Sequence, residues 1–459
     1  MRTFDRRIFR AYDIRGDAAR DLSDGFATDL GRAVGSMLAE RGERVVVVGR
    51  DCRDSSQRLR EALIAGLVEA GLHVLKIEVG PSPLLYFAVH HLGAGGGVMV
   101  TGSHNPPGDN GFKVLLGRAP LNGDGLRALA DRIVRRDFVS APGGRVDRVD
   151  VAERYVAFMV GNVVLPRRNL RVVVDAGNGA GGPLALAALW ALGIAPEAMH
   201  CEMDGRFPNH HPDPAQPANL VELAARVRST GADLGIAYDA DADRLGAVGP
   251  AGEVLGGDAL LALFGRAVLA RHPGATIVSE VKCSQAVFDD LARRGARVVL
   301  SASGHAPLRA AMHAEGALLG GELSGHLFFA DRYYGYDDAI YASLRLLEIV
   351  ASTQRSVSEL VAELPQRPAT PELRVPCHDA VKFDVVRRVA DRYRGERAIT
   401  EVDGARIHFG DGWGLVRASN TQAAVVLRFE ADTEERRDAL RAEVESVLAE
   451  ALLAALEDL

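Results

Sequence analysis

The chain has 459 residues, 47% of them hydrophobic, and carries 54 Lys and Arg against 61 Asp and Glu for a formal net charge of -7. This length suggests about three or four domains, and the acidic balance without a basic run speaks against a nucleic-acid surface. No apolar run approaches the ~20 residues of a membrane helix. Met1-Arg2-Thr3-Phe4-Asp5-Arg6-Arg7 lacks the apolar core of a signal peptide. Cys52, Cys201, Cys283 and Cys377 are scattered without a CxxC pair, so a cytoplasmic, reducing setting without a thiolate zinc site is expected.

In chain order, Arg44-Val45-Val46-Val47-Val48-Gly49 predicts a buried strand, and Leu59, Leu63 and Leu67 predict a helix ending at Gly71. The apolar run Gly97-Val98-Met99-Val100 then empties into Thr101-Gly102-Ser103-His104-Asn105-Pro106-Pro107-Gly108-Asp109-Asn110. The prolines end the ladder and the glycines permit unusual backbone angles, so Ser103 is presented at a strand's carboxyl end, where open α/β sheets bind ligands. Taken alone, the same loop also reads as a surface turn.

The strand-turn-helix unit recurs at Arg171-Val172-Val173-Val174-Asp175, with a helix around Leu184 to Leu192 ending at Gly193, and at Ala275-Thr276-Ile277-Val278, with a helix ending at Gly295. Each copy leads later to an apolar strand and a chemically loaded loop: Thr101 to Asn110, Tyr238 to Arg244, and Gly320-Gly321-Glu322-Leu323-Ser324-Gly325-His326. Linkers are expected at Ala141 to Gly144, Gly249 to Gly252 and, as a hinge, the Pro-rich stretch Leu364 to Pro371. Beyond it, Arg406 to Phe409 and Trp413 to Arg417 flank a Gly-Asp-Gly turn, Ala423 to Phe429 predicts another strand, and Asp432 with Glu435 predicts a capping-box start to a long helix. The expected architecture is three similar mixed α/β domains in tandem, residues 1–149, 150–250 and 251–365, and a smaller C-terminal α+β domain, 366–459.

On an extended segment, Asp239, Asp241 and Asp243 would point the same way, and three like charges need a cation. Hard oxygen ligands suit Mg²⁺ or Ca²⁺. An EF-hand fails, with Arg244 at the sixth position and Pro250 at the twelfth. Mg²⁺ in turn implies a phosphorylated ligand. Arg417-Ala418-Ser419-Asn420-Thr421 offers a guanidinium, two hydroxyls and an amide suited to phosphate, although a simple inter-strand turn would use similar residues. Glu322 and Ser324 suit sugar hydroxyls, and His326 a proton. Gly177-Asn178-Gly179-Ala180-Gly181-Gly182, with Glu197 about twenty residues on, fits the dinucleotide fingerprint of an NAD-dependent dehydrogenase. That alternative leaves the other loops unexplained, and the glycines are read as a tight strand-helix turn.

With Phe9-Arg10-Ala11-Tyr12-Asp13-Ile14-Arg15-Gly16, TGSHNPP followed by Asn110-Gly111-Phe112-Lys113, the Asp239 to Arg244 loop, GGELSGH and RASNT, the chain resembles the α-D-phosphohexomutase superfamily nearly end to end. It is most similar to the bacterial phosphomannomutase/phosphoglucomutase branch. The resemblance implies four domains around one cleft and interconversion of hexose 6-phosphate and hexose 1-phosphate, through phospho-Ser103 and a hexose 1,6-bisphosphate. It implies Mg²⁺ on Asp239, Asp241, Asp243 and the phosphoserine oxygen. Lys113, His104, Arg15, Arg244 and His326 would surround the transfer, with Lys113 as general acid/base. Glu322 and Ser324 would hold the sugar, and Arg417, Ser419, Asn420 and Thr421, with Tyr12, Lys282 and His305, the non-reacting phosphate. The expected partner is a small phosphosugar met by a monomer. Phosphoglucosamine mutase is the near alternative and a phosphosugar hydrolase a distant one. Where the family's metal loop usually has glycines this chain has Ala240 and Ala242, and Ala306 and Arg309 stand where serine and lysine are common.

Overall fold

The valine run forms the strand Val45–Arg50, buried along its middle as a central parallel strand requires. It lies between the parallel strands His73–Val79 and Gly96–Val100, and beyond the latter Asp109–Leu116 and Ile14–Asp17 continue the sheet antiparallel. This register sets Arg15 opposite Gly111 and Lys113 opposite Met99, so two cationic side chains flank the end of Gly96–Val100. The computed structural model describes residues 4–419 and 422–458.

Val172–Asp175 repeats the pattern, flanked in parallel by Leu234–Tyr238 and Glu197–Met199, with Leu245–Val248 antiparallel on Leu234–Tyr238. The helix Gly182–Ala191 is released at Gly193, whose φ of 80° suits a residue without a Cβ. Both sheets belong to one compact unit, Met1–Leu260 with Ser324–Val361. Within it the helix Ala339–Ala351 is buried along nearly its whole length, as its all-round apolar sequence requires, and its Ser343 hydroxyl meets the Tyr238 hydroxyl at 2.7 Å.

The second unit comprises Leu261–Leu323 and Ala362–Leu459, so the segment expected as a third domain contributes to both. Here Thr276–Glu280 pairs in parallel with Arg297–Ser301 on one side and Leu319–Gly321 on the other. A five-stranded antiparallel sheet follows, ordered Leu373–Pro376, Ala424–Ala431, Gly412–Ala418, Ala405–His408, Ala398–Thr400. Lys382–Tyr393 and Glu434–Glu457 pack on it through Val385, Val389, Leu440, Val444 and Leu448. The long helix is capped by Thr433, whose hydroxyl accepts the Arg436 N–H at 3.1 Å, and not by Asp432, whose own N–H is tied to the Asp411 carbonyl. Thr433 has the extended backbone a cap needs, and the shift of one residue removes Glu435 from the capping-box position.

These elements are the α/β and α+β architecture expected. Among the described residues no helix is long and apolar enough to cross a membrane.

The helices Asp24–Glu40 and Ser56–Glu69 approach so closely that a Cβ on Gly66 would lie 2.0 Å from the Thr28 carbonyl oxygen. Helix propensity favours alanine over glycine by about 1 kcal/mol, whereas overpacking of this kind costs about 1–3 kcal/mol. Gly66→Ala therefore lowers the chemical denaturation midpoint; a raised midpoint would contradict so close a crossing.

Candidate active site

Ser103 is buried at the tip of its loop with φ 48°, a left-handed conformation that a serine adopts only under constraint. The constraint is Arg53, a residue that no motif flagged. Its fully buried guanidinium donates to the carbonyls of Ser103 (2.5 Å), Asn105 (2.6 Å), Pro106 (2.5 Å) and Asp109 (2.9 Å), and lies 3.2 Å from the Asp51 carboxylate. Phe207 covers its face with the ring centroid 4.9 Å away. Arg15 reinforces the loop from the neighbouring strand, donating to the Gly102 carbonyl and the Asn105 side chain while paired with Asp13 at 2.6 Å. Tyr12 precedes that strand, half-buried.

The serine hydroxyl is 3.2 Å from Asp239 Oδ2 and 3.2 Å from His104 Nδ1. Burial, with the cations of Arg244 and Arg15, holds the His104 imidazole well below its ordinary pKa. It stays neutral at neutral pH, a hydrogen-bonding neighbour rather than a charge.

Asp239, Asp241 and Asp243 converge, with ligand oxygens within 4.8 Å of one another, all fully buried. They do so on a turn and not on the extended segment expected: Asp239 Oδ1 accepts the N–H groups of Asp243 and Arg244, which folds the loop back on itself. Ala242 takes a φ of 52° in that turn, the strain expected of an alanine there, while Ala240 is not among the positive-φ residues. Burial and the charges of Asp243 and Asp241 push Asp239 well up. Lys113 donates from Nζ to Asp241 at 2.6 Å and Asp243 at 2.5 Å. Burial opposes its charge, but these two carboxylates outweigh it and hold the ammonium well above the ordinary lysine range. Ser82, also unflagged, donates its hydroxyl to Asp241 at 2.5 Å.

Even so, Asp241 Oδ1 and Asp243 Oδ1 are buried without a hydrogen-bond partner among the described residues. Orphaned carboxylate oxygens in an all-oxygen set fit a hard divalent cation.

The glycine-rich motif supports this loop. A Cβ on Gly179 would lie 2.6 Å from the Ala240 carbonyl oxygen, and the Ala180 N–H donates to that oxygen at 2.7 Å. The glycines are needed for contact with the acidic turn, and the dinucleotide fingerprint has this structural explanation. Arg244 donates to His326 Nε2 at 2.9 Å and lies 3.6 Å from Asp213, while His326 Nδ1 faces Asp337 at 3.1 Å. Both nitrogens of the expected proton carrier are thus engaged.

The second unit gathers the expected binding residues through carboxylates that the motifs did not reveal. Asp403 accepts from Arg417 (2.8 Å) and from the Ser303 N–H (3.0 Å). Glu322 accepts from the Gly304 N–H, beside His305 at the start of the helix His305–Glu315, which also carries Ala306 and Arg309. Glu280 accepts from the Leu323 N–H at 2.7 Å and lies 3.5 Å from Lys282, which also pairs with Glu372 at 3.0 Å. Burial opposes the Lys282 charge, yet Glu280 and Glu372 raise its pKa. Lys382 donates to the Ser419 and Gln422 carbonyls, on either side of Asn420 and Thr421, which lie outside the described residues. Ser324 begins the return of the chain to the first unit.

Tandem α/β domains that present a constrained serine to an acidic, cation-ready loop define a phosphoryl-transfer enzyme. The chain belongs to the phosphoglucomutase/phosphomannomutase family: α/β/α domains I, II and III match residues 6–139, 153–252 and 256–367, and the C-terminal domain matches 372–447. It is 45% identical to a phosphomannomutase/phosphoglucomutase of Pseudomonas putida over 93% of this chain and 92% of the relative. It is 41% identical to a phosphoglucomutase of Neisseria gonorrhoeae over 95% of each. A crystal structure of a phosphoglucomutase/phosphomannomutase family protein from Burkholderia thailandensis superposes with a TM-score of 0.91 at 40% identity, covering 99% of this chain and 98% of that one.

Two outcomes follow from the serine loop. Arg53→Met leaves four carbonyls and the Asp51 charge without their partner, so denaturant titration should show a loss of about 3–5 kcal/mol, which Arg53→Lys cannot restore because an ammonium lacks the fork; unchanged stability would remove Arg53 as the anchor. For His104, the unfolded ring binds a proton below pH ~6.5 while the folded ring resists it, so its contribution is complete above that pH and is lost as pH falls toward the folded pKa. Wild-type stability should fall below pH ~6.5 more steeply than that of His104→Gln, by up to about 1.4 kcal/mol per pH unit. Parallel curves would contradict the depressed pKa.

Proposed function

We propose that the protein interconverts the 1- and 6-phosphates of mannose and glucose, with Ser103 carrying a phosphoryl group between turnovers. The observation that carries this reading is the strained, anchored Ser103 with its hydroxyl on Asp239 of the buried acidic turn. A hydrolytic nucleophile needs a base that takes its proton, and neutral His104 at 3.2 Å would suit one. A residue that keeps a phosphoryl group instead needs positive charge around it and no water, which Arg15, Lys113 and Arg244 and the near-complete burial of Ser103 supply.

In this reading phospho-Ser103 gives its phosphoryl group to the free hydroxyl of a hexose monophosphate: the serine Oγ–P bond breaks, a sugar O–P bond forms, and the hydroxyl proton leaves. The hexose 1,6-bisphosphate turns over and returns its other phosphoryl group to Ser103. Lys113, kept protonated by its carboxylate partners, gives a proton to the departing serine Oγ and takes up the one that leaves the sugar hydroxyl. Arg15 and Arg244 offset charge on the transferring group, and His326 orients Arg244 through Nε2. Asp239, Asp241 and Asp243 hold Mg²⁺, which when bound neutralises charge on the phosphoryl oxygens.

Glu322 and Ser324 hold two sugar hydroxyls, and Arg417, Ser419, Asn420 and Thr421 bind the phosphate that is not reacting, aided by Tyr12, Lys282 and His305. A mutase must accept its sugar in two orientations, so these contacts favour groups presented alike both ways. The 2-hydroxyl that separates mannose from glucose has no dedicated partner in this set. None of the four cysteines forms a disulfide, in keeping with a cytoplasmic enzyme.

Assays of glucose 1-phosphate, mannose 1-phosphate and glucosamine 1-phosphate with Mg²⁺ and catalytic glucose 1,6-bisphosphate test the assignment. Comparable turnover of the first two is expected, with Ser103→Ala folded and slower by on the order of 10⁴-fold. Preference for the amino sugar would reassign the substrate, free phosphate as the product would indicate a hydrolase, and wild-type turnover in Ser103→Ala would remove Ser103 from the mechanism.

A further inference from the structure

A second convergence of metal-ligating side chains lies in the first unit, outside the acidic turn. Asp175 ends the strand Val172–Asp175, His200 follows Glu197–Met199, and His210 comes from the loop beyond. One ligand atom from each lies within 4.8 Å of the others; Asp175 is buried and both imidazoles are partly accessible. His210 Nε2 is 2.9 Å from Asp175 Oδ2, and its Nδ1 is 3.0 Å from the His211 carbonyl. A carbonyl only accepts, so Nδ1 carries a ring proton and Nε2 is the nitrogen that faces the carboxylate. Nε2 and Oδ2 at 2.9 Å share a positive charge between them, either a proton or a metal ion.

His200 brings a second imidazole, its ring edge-on to His210 with centroids 5.5 Å apart, and its Nε2 lies 3.4 Å from Glu222, a further oxygen donor. A surface cavity of about 680 Å³, lined in part by Asn178, Trp190, His200, Cys201 and Glu202, reaches the cluster at His200. Two imidazole nitrogens and a carboxylate form a borderline donor set, chemically unlike the all-oxygen acidic turn.

We propose that Asp175, His200 and His210 form a second metal site, selective for Zn²⁺ or a similar borderline divalent ion. An ion there ties the strand end to the loop that carries Phe207 against Arg53 and Asp213 toward Arg244. The site thus clamps the segment behind both the serine loop and the acidic turn.

The test is calorimetric titration of the chelator-stripped full chain with Zn²⁺ under saturating Mg²⁺, with Co²⁺ absorption in the visible as a report of nitrogen ligation. The expected result is a Zn²⁺ equivalent that His200→Ala and His210→Ala each abolish, or weaken beyond the roughly 100-fold typical of losing an outer-shell partner, and that His211→Ala leaves in place. Thermal melts establish that each variant is folded; if His210→Ala is not, the folded His200→Ala carries the comparison. No Zn²⁺ binding under Mg²⁺, or binding that folded His200→Ala retains at wild-type strength, overturns the proposal and leaves a protonated His210–Asp175 pair.

Discussion

Three carboxylates share one water-excluded turn, and the surrounding structure exists largely to make that tolerable. Two unit charges 4 Å apart repel by about 4 kcal/mol at an effective dielectric of 20, so the turn cannot fold without compensation. Lys113 supplies a full charge, Ser82 and the backbone N–H groups of Asp243 and Arg244 supply hydrogen bonds, and two carboxylate oxygens remain open. The glycine-rich turn after Val172–Asp175 lets the acidic loop settle against backbone, and the residual repulsion is what a hard cation would relieve.

The serine loop answers the opposite problem. Its carbonyls crowd inward and would be unsatisfied, and the guanidinium of Arg53 gathers four of them. That single side chain fixes the left-handed backbone at Ser103 and sets its hydroxyl beside Asp239. The second unit uses the same logic with reversed sign, where Asp403, Glu280 and Glu372 hold the cations Arg417 and Lys282. In both units the groups offered to a ligand are positioned by buried charged neighbours.

Much of this was legible in the sequence because it is local. Apolar runs such as Val45 to Val48 and Val172 to Val174 mark central strands, and loops that break from them with Ser103 or the three aspartates mark strand ends. The positioning residues were not legible because they act across long separations: Arg53 reaches Ser103, Ser82 reaches Asp241, and Asp403 reaches Ser303, and no spacing rule connects them. The acidic alternation suggested an extended segment, and the actual turn depends on hydrogen bonds to Asp239 Oδ1 that only folding creates. The shift of the last helix cap from Asp432 to Thr433 has a similar origin, since the Asp411 carbonyl claims the Asp432 N–H.

The proposed mechanism requires Ser103 to hold a phosphoryl group within this charge arrangement. Intact-mass and peptide-mapping spectrometry of the purified chain, before and after exposure to glucose 1,6-bisphosphate and Mg²⁺, tests it most directly. The expected result is a stable gain of one phosphoryl group on the Ser103 peptide, discharged on adding excess hexose monophosphate. A chain that gains no phosphoryl group, or gains it on another residue, would contradict it.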